Sequence, residues 1–317
     1  MRSPVFRQAY DTFHTCQRII IPSPRCQSRT LSLTCGLGDT VVSRAGLVVI
    51  ASATVLTALV FTLYPELDLT ISAAFFDPAR GIFPAQGDRF LAGFRFVTSW
   101  AIAIGIAIPG IALIGKMLFP SRPALLPGRA MLLILVSIAL GPGLIVNAGL
   151  KENWNRPRPG GVQEFGGAMD FKPWWDAGGE CRRNCSFVSG ESAAAFAMLA
   201  PAALVSAPWQ MTAIGAAALF GAIMAFLRVA FGGHFFTDVV FAGALSAMLV
   251  WTLHGWLYRW RLRGLSDRGI EDALGDAGRH ARAGLAAVGQ WLGSAGSAVA
   301  AGIGSRLGRV PGTAPRR

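Results

Sequence analysis

Long apolar runs constrain this chain more than any other feature. Residues 46–64, 97–119, 130–150, 211–229 and 235–257 each approach the roughly 20 apolar residues needed to cross a bilayer, and residues 192–207 form a shorter sixth run. Hydrophobic residues make up 53% of the 317 positions and charged ones 15%, and the mean hydropathy is +0.47. That balance excludes an ordinary soluble domain and reads as an integral membrane protein. The expected fold class is all-α, a six-transmembrane-helix bundle.

The net charge of +12 is distributed in a way that argues for membrane topology and against a nucleic-acid partner. Residues 1–45 hold six arginines against Asp11 and Asp39, and ten arginines follow Tyr258. Three segments result. Residues 1–44, which carry no typical signal peptide, are expected as a poorly ordered cytoplasmic extension. Residues 45–258 form the membrane domain, and residues 259–317 a basic tail rich in Ala, Gly and Arg. Within that tail, residues 269–307 suit either an amphipathic helix on anionic lipid or a disordered solubilising segment. With a cytoplasmic N-terminus, six spans place Lys116, Arg122, Arg129 and both basic ends inside. They place residues 65–95, 151–191 and the turn at 228–234 on the outer face.

Five cysteines show no metal-ligand spacing. Cys16, Cys26 and Cys35 lie in the N-terminal segment. Cys181 and Cys185 are spaced for a short disulfide if their loop meets an oxidising compartment, and the spacing alone leaves the free thiols equally open.

Charged residues beside apolar runs need a reason, because an ionisable group there is costly unless paired or wetted. Three clusters stand out. Lys151 is followed after six residues by Arg158-Pro159; Ser189-Gly190-Glu191 opens an apolar run; and Arg228, His234 and Asp238 stand at the junction of the last two. Taken singly, each has a bland reading: a basic anchor, a helix cap, a structural histidine. A Ser-Gly helix start also directs free amides at an anion, and His234 and Asp238, four apart on a helix face, can pair.

Taken together, their order and spacing resemble the three-part signature of the type-2 phosphatidate phosphatase superfamily, over about residues 46–258. The resemblance implies a membrane phosphatase that needs no metal or other cofactor. Lys151, Arg158, Arg228, Ser189 and the Gly190 amide would bind phosphate oxygens. His234 would attack phosphorus to form a phosphohistidine, Asp238 would orient the imidazole, and water would hydrolyse the intermediate. Two positions depart from the pattern: Leu227 precedes Arg228 in place of serine, and Glu191 replaces the histidine that protonates the leaving oxygen. Glu191 can serve as that acid if burial raises its pKa, although nearby cations oppose this; otherwise it orders the arginines.

The expected partners are a lipid phosphate and the membrane, at the outer (periplasmic) face of a bacterial inner membrane. Residues 65–69 and 184–191 resemble the lipid A 1-phosphatase branch most. Undecaprenyl diphosphate, phosphatidylglycerol phosphate and lipid phosphotransfer are the alternatives. A vanadium haloperoxidase fits the motifs but not the spans, and a transporter or scaffold has no use for this charge cluster. Trp154, Phe171, Trp174 and Trp175 suggest contact with a bulky lipid.

Overall fold

A computed structural model describes residues 44–260 and 265–307. The expected extension of residues 1–44, including its three cysteines, therefore lies outside the described residues apart from Arg44. No strand element occurs among the described residues, and only two isolated bridges, Asp77 to Ile82 and Val162 to Met169, interrupt the helical pattern.

Helix α1 (Arg44–Leu63) is apolar on all sides and ends before Pro65, whose ring disfavours a helical residue ahead of it. The short α2 (Glu66–Ala73) follows. Helix α3 (Arg89–Leu118) begins eight residues before the apolar run does, because Asp88 caps it by accepting bonds from the Phe90 and Leu91 amides at 2.8 and 3.0 Å. At its far end Lys116 donates to the carbonyls of Pro120 and Arg122, fastening the turn that follows the helix.

Helix α4 (Gly128–Asn153) widens into π-type turns over Ala139–Leu150, around Pro142, whose missing amide breaks the normal ladder. Helices α5 (Gly190–Phe196) and α6 (Leu199–Ala202) are short, α7 (Ala207–Ala230) carries proline in its first turn, and α8 (Phe236–Arg259) widens at its last turn. Helix α9 (Asp267–Leu307) begins against α4, where Asp267 accepts bonds from the Arg129 guanidinium and amide, and then crosses the end of α3.

Five of these helices, α1, α3, α4, α7 and α8, are long and apolar enough to cross a membrane. The expected span at 192–207 is instead the broken pair α5–α6. This pair is the centre of the bundle: α5 packs against α7, α8 and the wide turns of α4, and Ala193, Ala195, Ala197, Ala200 and Ala202 are buried. Irregular backbone survives at this depth because protein surrounds it. The outer faces of α1 and α3 expose Val48, Val49, Leu56, Leu59, Ile104, Ile108 and Ile111, an apolar surface suited to lipid.

The broken helix is locked at Phe196. Its ring lies between α7 and α8 where both carry glycine, and a Cβ at Gly221 or Gly243 would come within 2.5 or 2.8 Å of it. Gly221→Ala is expected to cost about 1–3 kcal/mol through overpacking, read as a lowered unfolding midpoint in detergent. Gly215→Ala, on the same helix but with open space around it, should leave the midpoint unchanged or raise it.

Candidate active site

The three charged clusters meet at one end of the bundle, where α4 and α7 end and α5 and α8 begin. Lys151 stands in the last turn of α4 and Arg228 in the last turn of α7. Ser189 caps α5 and accepts bonds from the Ser192 amide and hydroxyl at 3.3 and 2.9 Å. Gly190 allows α4 and α5 to touch: a Cβ there would lie 2.7 Å from Asn147 Oδ1 and 3.5 Å from Lys151 Nζ. After α7 the chain folds back at once, with the Gly233 and His234 amides both donating to the Arg228 carbonyl. This turn sets the histidine beside the guanidinium.

His234 is 1% exposed. Its Nδ1 lies 2.6 Å from the Ser186 carbonyl. A carbonyl only accepts, so Nδ1 carries the proton and Nε2 keeps a free lone pair. Burial, joined by the charges of Arg228 and Arg158 against an opposing pull from Asp238, lowers the His234 pKa to about 4. The ring is therefore neutral at physiological pH. Asp238, expected as its direct hydrogen-bond partner, is 3.8 Å away. Its carboxylate binds the Ser186 hydroxyl at 2.5 Å and the Phe235 amide at 2.9 Å instead. Asp238 thus holds the two segments that carry and bond the imidazole.

Behind Asp238 lies a network that the motifs do not announce. Arg156 is fully buried and donates to Asp238 Oδ1 at 2.5 Å, Thr237 Oγ1 at 2.8 Å, Asp68 Oδ2 at 2.8 Å and the Lys172 carbonyl at 2.9 Å. Its guanidinium also faces the Phe235 ring at 4.4 Å. Asp68, from α2, in turn accepts bonds from the Thr237 amide and hydroxyl. Arg156 sits within the first motif, between Lys151 and Arg158, and Asp68 within the 65–69 stretch.

In front of His234 lies a cluster of cations. Arg228 is 6% exposed, and its Nε has no hydrogen-bond partner among the described residues. Arg158 Nε donates to the Asn184 carbonyl at 3.1 Å, and burial pushes its pKa below the ordinary guanidinium value. Lys151 lies within electrostatic range of both arginines. A fourth cation, Arg95 of α3, belongs to none of the three clusters and stands at the end of the 65–95 stretch expected on the outer face. It grips Glu191 with two bonds, of 2.8 and 2.5 Å, while Arg228 approaches the same carboxylate at 3.5 Å. Burial raises the Glu191 pKa, but the Arg95 hydrogen bonds and the Arg228 and Arg95 charges prevail, leaving it below the usual carboxylate value. The site therefore holds Glu191 ionised, opposite to the raised pKa its expected acid role calls for.

The loop over the site is pinned by its own side chains. Trp154, Trp174, Phe187 and Phe241 stack on one another, and Phe171 packs on Phe235. The expected lipid-contacting aromatics are thus mostly loop core, with Trp175 left 40% exposed. Cys181 and Cys185 are joined by a disulfide that closes the turn presenting Asn184 to Arg158. Among the described residues, no group of three or more His, Cys, Asp or Glu side chains could hold a metal ion.

The PAP2 superfamily profile matches residues 130–262, which contain all three clusters. The lipid A 4'-phosphatase of Francisella tularensis subsp. novicida is 32% identical over 200 residues, covering 63% of this chain and 90% of that protein. Lipid A 4'-phosphatases of Rhizobium leguminosarum and Rhizobium etli are 38% and 37% identical over 114 residues, 36% of this chain and 48% and 44% of theirs. No solved structure matches the chain. With a close-range match to most of one relative and the superfamily's charge pattern gathered at one end of a membrane bundle, the chain belongs to the PAP2 superfamily and is a lipid phosphatase.

Proposed function

We propose that this phosphatase removes the 4'-phosphate of lipid A at the periplasmic face of the inner membrane. The sequence reading favoured the 1-phosphate, but the three relatives above are all named 4'-phosphatases. The side of the membrane is supported by charge and redox chemistry. Lys116, Arg122, Arg129 and Arg259 lie at the end opposite the site, as a cytoplasmic end prefers, and the Cys181–Cys185 disulfide suits an oxidising compartment.

The observation that carries the chemistry is the neutral His234, anchored through Nδ1 and leaving Nε2 free beside an unsaturated cation cluster. Nε2 attacks phosphorus, a P–N bond forms, and the bond to the sugar oxygen breaks. Lys151, Arg158 and Arg228 take up the charge of the equatorial oxygens. The Ser189 hydroxyl already accepts two bonds, so its own proton is free to donate, beside the Gly190 amide at the helix start. Asp238 fixes the histidine loop and favours the positive charge that the phosphorylated imidazole carries. Water then cleaves the P–N bond. Glu191 stands where the superfamily's acid stands. Arg95 holds it ionised, so it has no proton of its own to give.

Purified protein incubated with bis-phosphorylated lipid A should release one phosphate and yield product retaining the 1-phosphate by mass spectrometry. His234→Ala should lower the rate by at least about 10⁴-fold. Product lacking the 1-phosphate would overturn the regiochemistry, and undiminished release by His234→Ala would overturn the nucleophile. Arg156→Lys, which keeps the charge but loses the fork to Asp238 and Asp68, should lower kcat by about 10–100-fold through a displaced imidazole, with KM little changed. An equal rise in KM would instead place Arg156 in substrate binding.

A further inference from the structure

Glu191 poses a chemical problem that the phosphate cradle does not explain. A site for a dianion gains nothing from a carboxylate among its cations, since like charges repel. Yet Glu191 is held there deliberately, by a two-bond grip from Arg95 reaching across from α3. The groups facing it are Arg95 from α3, Lys151 from the end of α4, Arg158 from the loop, Arg228 from α7 and His234 from the following turn. Four of these are cations that would face an incoming anion directly, and His234 is neutral with its only proton committed to the Ser186 carbonyl.

An ionised carboxylate is acceptor only. It sits comfortably against a phosphate oxygen only if that oxygen carries a hydrogen to donate. We propose that Glu191, positioned by Arg95, selects the singly protonated phosphate monoester and relays the proton it brings to the departing oxygen. The inference rests on reading the cluster as a phosphate cradle. The monoester monoanion donates its P–O–H to a Glu191 oxygen. His234 Nε2 bonds to phosphorus as the bond from phosphorus to the sugar oxygen breaks, and the proton passes through Glu191 to that oxygen. Reactants carry the substrate's single negative charge plus a neutral imidazole; products are an alcohol and an imidazolium bearing a dianionic phosphoryl group, so charge and protons balance. Glu191 begins and ends ionised, as the Arg95 grip requires. Arg95 acts through Glu191 and is a positioning residue.

Sulfate offers a clean contrast, because it has the shape of phosphate but no proton to donate near neutral pH. The test is calorimetric binding of methyl phosphate, a monoester whose dianion carries no hydrogen to donate, and of sulfate to detergent-solubilised full-length His234→Ala protein between about pH 5.5 and 8.5, a range that brackets the ionisation of phosphate groups. In that background no turnover occurs, so failure of the nucleophile assignment shows in lipid A hydrolysis and failure of the present inference shows in binding. With Glu191 in place, methyl phosphate affinity should fall about tenfold per pH unit above its second pKa, and sulfate should bind at least about tenfold more weakly than methyl phosphate at the acid end. Adding Glu191→Gln should abolish the pH dependence and bring sulfate within about threefold of methyl phosphate, since the amide donates to either anion. Glu191→Asp should retain the phosphate preference, and Arg95→Gln should weaken it. Methyl phosphate affinity that is flat with pH, or a methyl phosphate-to-sulfate ratio that Glu191→Gln leaves unchanged, would overturn the inference. Absence of methyl phosphate binding in every form would overturn both it and the cradle.

Discussion

The buried ion pairs of Arg156 with Asp68 and Asp238 hold the rest of the site in register. A guanidinium with no exposure to solvent is tolerable only when its donors are used and its charge is matched. Here two carboxylates, a hydroxyl and a carbonyl do this, from three separate segments. Removing any partner would leave buried charge uncompensated, so the segments are tied together by cost as much as by attraction. Asp238 then fixes Ser186 and the head of α8, and Ser186 fixes the tautomer of His234. The proposed nucleophile is set by main-chain geometry, with its nearest carboxylate one step removed.

Charge is divided between the two sides of the imidazole. Behind it, Asp68 and Asp238 outnumber Arg156, favouring the cationic phosphohistidine once it forms. In front, Arg95, Lys151, Arg158 and Arg228 outnumber Glu191, favouring an anion that arrives from outside. Burial keeps both groups effective, since a low-dielectric surround weakens screening. The start of α5 makes this possible, because a helix that begins at Ser189 against the last turns of α4 brings its free amides and Glu191 among the cations.

Much of this was legible in sequence, for identifiable reasons. Apolar runs gave five spans to within a few residues, except where a cap outside the run extended α3. The motif residues Lys151, Arg158, Ser189, Arg228, His234 and Asp238 do converge, because each sits at the end of an element whose direction the span order fixes. The broken helix was hidden because Ala-rich sequence reads the same whether it faces lipid or packs around Phe196. Arg95 was hidden because one arginine near a helix start usually faces water, and its grip on Glu191 depends on a contact 96 residues away in sequence. Asp68 and Arg156 lie within the 65–69 stretch and the first motif, but their pairing is tertiary. The direct bond expected from the i, i+4 spacing of His234 and Asp238 lost to a carbonyl that spacing cannot reveal.

The central claim is that His234 attacks through Nε2, and trapping the covalent intermediate tests it most directly. Protein mixed with lipid A and quenched in base, which preserves phosphohistidine, should carry phosphate on His234, and phosphorus NMR of the derived peptide should place it on Nε2. Phosphate on Nδ1 or on another residue, or no phosphoenzyme during active turnover, would contradict the account.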